Sequence, residues 1–336
     1  LANPTAGDPF PAPPFTGWYD IEVRTKNTTP FQLNTNSVYW KPPVGERISN
    51  LGVHPAPKRL EHRDEDNFVL DDAPRICVTN EDLHCLRARF IDEVRRQTGH
   101  TITATCDDAT IHFGIESDLK LPAQGYQIDV APNRISLSAG TDNGILYGMF
   151  ALADLIGFDA AAPSVMIQDW PAIQTRALFH HTVPNAGSMV RPEDTMAFIE
   201  RVVARGRYNM LILSLGGAMQ LPSREKLVRR DAWSHEELQT VLNLAEQYGI
   251  EVIPTISSPS HSGWLVHGYP ELSEEGAGDL LCTQHPETRA LLKDLYQDIF
   301  EAFGQPRFIH IGHDEIRFRT HWKHEEQRCA RCQPIP

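Results

Sequence analysis

Apolar and polar positions alternate along this chain with two different rhythms. Between residues 51 and 165 the pattern mixes helices and hairpins. Leu83, Leu86, Phe90, Ile91 and Val94 share one face at helical spacing, which predicts a helix over Glu81–Gln97 with Gly99 as its stop. Thr110–Ile115 alternates as a strand. Tyr126, Ile128 and Val130, a Pro132-Asn133 turn, then Ile135 and Leu137 predict a hairpin. An apolar helix runs from Asn143 to Ile156. This stretch reads as a small α+β packing module with no chemistry of its own. From residue 173 the rhythm changes. Strand-like runs at Arg176–Val183, Asn209–Leu215, Glu251–Ser257 and Arg307–Gly312 alternate with helical patterns. Met196, Ile199, Val202 and Val203 mark the first helix. Leu238, Val241, Leu242 and Ala245 mark the second, which opens on a Ser234-x-x-Glu237 capping box. Leu291, Leu292, Leu295, Ile299 and Phe303 mark the third. Strands that alternate with helices imply a parallel sheet, because parallel pairing needs long crossovers.

The fold class expected is therefore α/β: a small α+β domain over 51–170, followed by four β/α units over 171–336. Four units correspond to the first half of a (β/α)8 barrel, which typically takes about 250 residues. On that expectation the chain is truncated at its C-terminus. A doubly wound sheet is the other arrangement that four strands allow. Residues 1–50 form an N-terminal extension, Pro-rich from Pro9 to Pro14, with strand-like alternation at Tyr19–Val23 and Ser37–Trp40 and no assigned function.

Composition narrows the partners. The 336 residues carry 31 Lys+Arg against 44 Asp+Glu, a net charge of −13, which argues against nucleic acid or an anionic membrane surface. No apolar run approaches the roughly 18 residues of a spanning helix. The chain starts at Leu1 and contains no visible signal peptide. Its six cysteines are too few for a disulfide scaffold at this length. His321, His324, Cys329 and Cys332 lie close together, yet their order matches no zinc-finger spacing. They read as reduced thiols on a polar helix and loop, with no metal site. There is no Gly-rich phosphate loop and no G-x-S-x-G elbow, so no cofactor is expected.

The strongest chemical signal is Phe308-Ile309-His310-Ile311-Gly312-His313-Asp314-Glu315, an apolar strand running into adjacent carboxylates. Residues just after a barrel strand line the catalytic face. Mutual repulsion and partial burial should raise one carboxyl pKa, which suits an acid beside an anionic stabiliser. A helix-capping role is the alternative for such a pair. His261, on a Pro-Ser loop, is either a site residue or a surface histidine. Of His180 and His181 alternation sends only one into the barrel mouth. His310 is expected to be packed in the core. Asn209 reads as a structural hydrogen-bonder, and Arg176 as either a salt-bridge residue or a ligand.

Leu281-Cys282-Thr283-Gln284-His285-Pro286-Glu287-Thr288, read through to the His310-x-Gly312-His313-Asp314-Glu315 segment, resembles glycoside hydrolase family 20, the β-N-acetylhexosaminidases. That family's signature after strand four is His-x-Gly-Gly-Asp-Glu, with His313 here in place of the second Gly. Val53-His54-Pro55-Ala56-Pro57-Lys58, Gly125–Val130 and Gly144–Gly148 resemble its small non-catalytic domain. Ile167-Gln168-Asp169-Trp170-Pro171 followed by Arg176-Ala177 resembles the approach to its first barrel strand. The resemblance implies substrate-assisted hydrolysis, an exception to the two-carboxylate scheme. Asp314 would orient the sugar's 2-acetamido group, and Glu315 would protonate the leaving oxygen. His181, His261 and His313 would contact substrate, an oligosaccharide or glycoconjugate. Several of the family's site positions differ: His181 and Pro184 stand for an Asp and an Arg, Ser214 and Gly217 for a His and an Asp, and Pro254-Thr255-Ile256-Ser257 for Pro-Glu-Ile-Asp. The expected protein is a secreted or periplasmic glycosidase. Its rivals are a glycosidase for another sugar and a catalytically inactive carbohydrate-binding protein with aromatic platforms in the cleft.

Overall fold

The computed structural model describes residues 52–182, 190–274, 278–313, 315 and 331. The strand alternations expected within residues 1–50 lie outside these. Contacts divide the chain into an N-terminal unit, Leu1–Ala56, and a unit from Pro57 to Pro336, which holds everything described below.

From Arg59 to Asp169 the chain makes nine strands: β1 (Arg59–His62), β2 (Phe68–Val69), β3 (Arg75–Val78), β4 (Thr103–Ala104), β5 (Ile111–Ile115), β6 (Tyr126–Ala131), β7 (Arg134–Ala139), β8 (Ala161–Ala162) and β9 (Val165–Asp169). Seven form one mixed sheet in the order β1-β9-β6-β7-β5-β3-β4, while β2 and β8 pair with each other. The predicted hairpin is β6–β7, antiparallel from Tyr126↔Ala139 to Ala131↔Arg134. Helices α1 (His84–Thr98) and α2 (Asp142–Ile156) cover the sheet. Gly99 ends α1 in the left-handed region at φ +82 and donates its N–H to Arg95 O, as a C-terminal stop should. Helix α2 lies so close to the sheet that a Cβ at Gly148 would run into Leu137 Cδ1 and the Tyr126 ring. Phe90 meets Phe113 edge-on at 5.1 Å in the core.

One covalent link was not expected. Cys77 on β3 and Cys106 just after β4 form a disulfide with Cα atoms 4.4 Å apart. Nothing local in the sequence pairs cysteines 29 positions apart; the parallel β3–β4 ladder brings them together. By loop entropy such a link contributes about 3–4 kcal/mol.

The second half alternates as expected. Strands β10 (Ala177–His181), β11 (Met210–Ser214), β12 (Glu251–Ser258) and β13 (His310–Gly312) form a four-stranded sheet in sequence order, and every pair is parallel. Helices α3 (Pro192–Phe198), α4 (His235–Gln247), α5 (Gly263–Gly268) and α6 (Pro286–Ala302) lie between the strands in chain order, the last two both between β12 and β13. The Ser234/Glu237 capping box opens α4. The first helix departs from expectation: α3 passes into a π-helical stretch, Ile199–Ala204. The widened turn keeps Ile199 and Val203 buried and rotates Val202, predicted on the buried face, to 44% exposure.

The sheet is strongly curled. Neighbouring strands lie about 4.8 Å apart, so β10 and β13 would be about 14 Å apart in a flat sheet. Yet the Phe179 ring on β10 meets the His310 ring on β13 at 5.6 Å. His310 is therefore exposed on the concave face rather than packed in the core as expected.

Two arginines join the halves. Arg207 Nη1 donates to Asp169 Oδ2 and to Tyr126 OH, both at 3.0 Å, and both ion-pair partners are buried. Burial holds the Tyr126 phenol well above its ordinary pKa. Arg176 donates to Arg207 O, Ile173 O, Gln174 O, Gln124 Oε1 and Tyr147 OH, while its N–H is taken by Asn209 Oδ1. The Arg176 guanidinium and the Asn209 side chain are thus committed to the junction.

Candidate active site

The site is built where β12 and β13 end. Strand β13 passes so close to β12 that a Cβ at Gly312 would sit 3.0 Å from Ser257 Cα. Gly312, His313 and Glu315 all have left-handed backbone, at φ +70, +66 and +46. His313 N–H donates to Ser258 O at 3.1 Å, which ties the segment after β13 to the end of β12. The loop after β12 carries His261, also left-handed at φ +52. Left-handed non-glycine residues are uncommon and cluster at functional sites.

This folding brings Glu315 and His261 together. His261 Nε2 lies 3.4 Å from Glu315 Oε2, with side chains 47% and 49% exposed. At that exposure the pair adds little stability. What it provides is a histidine within reach of a carboxyl that has open access to solvent, a geometry suited to proton transfer. Asp314 lies outside the described residues, and so does the expected splitting of its pKa from that of Glu315.

The other predicted contacts separate. His181 lies on the concave face, its ring 4.5 Å from that of Phe179. His180 points the other way: it stacks on Phe198 at 4.5 Å, with Nε2 3.2 Å from Thr195 Oγ1, and burial lowers its pKa. His313 lies on the α6 side. Its Nδ1 lies 3.0 Å from Ile311 O, and its side chain lines a cavity of about 510 Å³ with Pro259, Thr283, Leu292 and Tyr296 against α6. Pro184 and the His321, His324, Cys329, Cys332 set fall outside the described residues.

The register shows a feature the sequence concealed. His181↔Ser214, Ser214↔Thr255 and Thr255↔His310 are successive partners across all four strands. Together they make one row of polar side chains without a carboxylate, and Thr255 Oγ1 lies 3.0 Å from His310 Nδ1. Residues 74 and 55 positions apart give no local sign of such a row; only strand register creates it. Trp264 was likewise missed. Its half-buried indole lies over the Gly216-Gly217 turn after β11, with three ring atoms each 3.9 Å from the Cβ position of Gly216.

Residues 210–334 match the description "Glycosyl hydrolase family 20, catalytic domain", and residues 50–170 match "Glycosyl hydrolase family 20, domain 2". The chain belongs to glycoside hydrolase family 20. Similar curated proteins include a beta-hexosaminidase of Porphyromonas gingivalis, 22% identical over 86% of this chain and 41% of that protein. A beta-hexosaminidase of Akkermansia muciniphila is 26% identical over 66% of this chain and 50% of that protein. Among solved structures, the Streptomyces plicatus N-acetyl-beta-hexosaminidase in complex with Thio-NAglucal aligns with a TM-score of 0.67 at 19% identity, over 80% of this chain and 60% of that one. A family 20 exo-beta-N-acetylglucosaminidase of Vibrio harveyi aligns with a TM-score of 0.67 at 18% identity, over 84% and 48%. The chain thus spans 41% to 50% of the length of these two curated family 20 relatives. Among the described residues no helix is long and apolar enough to cross a membrane, and no group of three or more metal-ligating side chains occurs.

Proposed function

We propose that the chain carries the acid–base centre of a β-N-acetylhexosaminidase-like glycoside hydrolase that works by substrate-assisted retaining hydrolysis. The observation that carries this reading is the Glu315–His261 pair at 3.4 Å, at the C-terminal ends of two parallel strands in a family 20 chain. The 2-acetamido oxygen of the bound sugar attacks the anomeric carbon. Glu315 gives its proton to the leaving glycosidic oxygen, then takes one from the water that opens the cyclic intermediate. Asp314 orients and stabilises the acetamido group. His261 tunes the Glu315 carboxyl, and His181 and His313 contact the substrate farther out, on the concave face and toward α6. No cofactor is required and the partner is an oligosaccharide or glycoconjugate, not nucleic acid.

In this reading residues 51–170 are the non-catalytic module, residues 171–336 are the first half of a (β/α)8 barrel, and residues 1–50 are an extension. The curl of the parallel sheet supports a barrel over a doubly wound sheet. The Cys77–Cys106 disulfide supports an oxidising compartment, secreted or periplasmic.

The row His181-Ser214-Thr255-His310, which holds no carboxylate, favours a second reading, a glycosidase whose sugar specificity differs from that of its relatives. Hydrolysis of an aryl β-N-acetylglucosaminide by the full-length protein tests the first. Glu315→Gln and Asp314→Asn should each lower kcat by about 10²-fold or more. Turnover of a different aryl glycoside, with none of this one, would select the second.

A further inference from the structure

His261 approaches Glu315 from a loop, and among the described residues Glu315 is the acid paired with its ring. The resemblance leads one to expect an orienting carboxylate at position 217. That residue is glycine, and a Cβ there would collide with Leu227 O and press on Trp264 Cε3. The ring must therefore be oriented by other means.

Ser262, the next residue, is fully buried. Its Oγ donates to Ser257 O at 2.8 Å, shared with Ser260 O at 3.1 Å. Its N–H donates to Asp279 O, and its carbonyl accepts from Leu265 and Val266 N–H, all at 2.9 Å. One side chain thus ties the end of β12 to the start of α5, and His261 sits inside that tie. A left-handed histidine costs about 1 kcal/mol or more and persists only where its neighbours over-determine it. Trp264, two residues on in α5, packs its indole over Gly216 in the turn after β11.

We propose that Ser262 is a positioning residue, which holds the His261 ring against Glu315 through backbone hydrogen bonds where a second carboxylate would hold it through the ring nitrogen. The proposal rests on the reading of Glu315 as the acid–base residue.

A double-mutant cycle in the full-length protein tests it, with kcat and KM measured on an aryl β-N-acetylglucosaminide. Ser262→Ala should lower kcat about tenfold, with KM within about twofold, because a small misplacement of a catalytic group costs rate more than binding. In the His261→Ala background the same change should alter kcat by less than about twofold, because coupled residues are non-additive. Equal losses in both backgrounds, the signature of a merely structural role, would overturn the proposal, as would an unchanged kcat. If Ser262→Ala does not fold, Ser262→Cys, with its weaker donor, takes its place in the cycle. If the wild type turns over no substrate, the reading of the site fails, and the proposal is decided separately by the chemical shifts of the His261 ring protons at fixed pH. They should change in Ser262→Ala and stay put when the same change is made in Glu315→Gln. Unchanged shifts in the first case overturn it.

Discussion

The α+β module and the mouth of the parallel sheet treat their side chains in opposite ways. In the module Ile111, Phe113, Ile128, Ile135 and Leu137 are fully buried, a disulfide ties β3 to the chain beyond β4, and the Arg207–Asp169 pair that docks the module is buried too. At the mouth Phe179 is 41% exposed, and His261 and Glu315 are about half exposed with left-handed backbone. The module spends its residues on one packed state. The mouth leaves polar groups open and holds strained backbone, which is where chemistry is expected to concentrate. Stability and activity should therefore respond to different substitutions.

The sharpest separation is at Glu315. Glu315→Gln should abolish hydrolysis by about 10²–10⁴-fold in kcat while the thermal midpoint stays within about a degree, since the side chain is half exposed. A large drop in the midpoint would place Glu315 in the framework instead. Arg207→Ala should do the reverse, costing about 3–5 kcal/mol of stability by stranding Asp169 in a buried site. Denaturant unfolding measures it, and a loss under 1 kcal/mol would mean that water reaches the junction. Cys77→Ser with Cys106→Ser should cost about 2–4 kcal/mol, confined to the module and readable by hydrogen exchange on β3, β4 and α1. The smallest effect is expected where β12 and β13 begin. Arg307 beside Glu251 holds that carboxyl below its usual range. A depressed native pKa adds stability above the unfolded Glu value of about 4.3 that is lost as pH falls through the native value. Glu251→Gln should therefore lose less stability than wild type on acidification below about pH 4; identical acid-unfolding curves would count against the pair.

Local pattern made much of this legible. The helix stop at Gly99, the β6–β7 hairpin and the Ser234/Glu237 box depend on contacts within a few residues, and the four strands of the parallel sheet show as apolar runs between helical patterns. The acidic segment after β13 was visible for the same reason, as an apolar run that ends in carboxylates. Where the His313 ring goes was not legible, because it follows from two successive left-handed residues, Gly312 and His313, and from the cavity against α6 that its side chain lines. Val202 was misplaced because a π-helical turn adds a residue to the period.

The amino-acid sequence by itself thus determined the main helices, the β6–β7 hairpin and the strand–helix alternation that implies a parallel sheet, since each follows from hydrophobic period, local hydrogen bonding or chain order. Tertiary structure alone decided which distant groups meet: Cys77 with Cys106, Arg207 with Asp169, Phe179 with His310, and His261 with Glu315. Those meetings depend on sheet order, curl and strand register, which are settled by packing over the whole unit and leave no periodic trace along the chain.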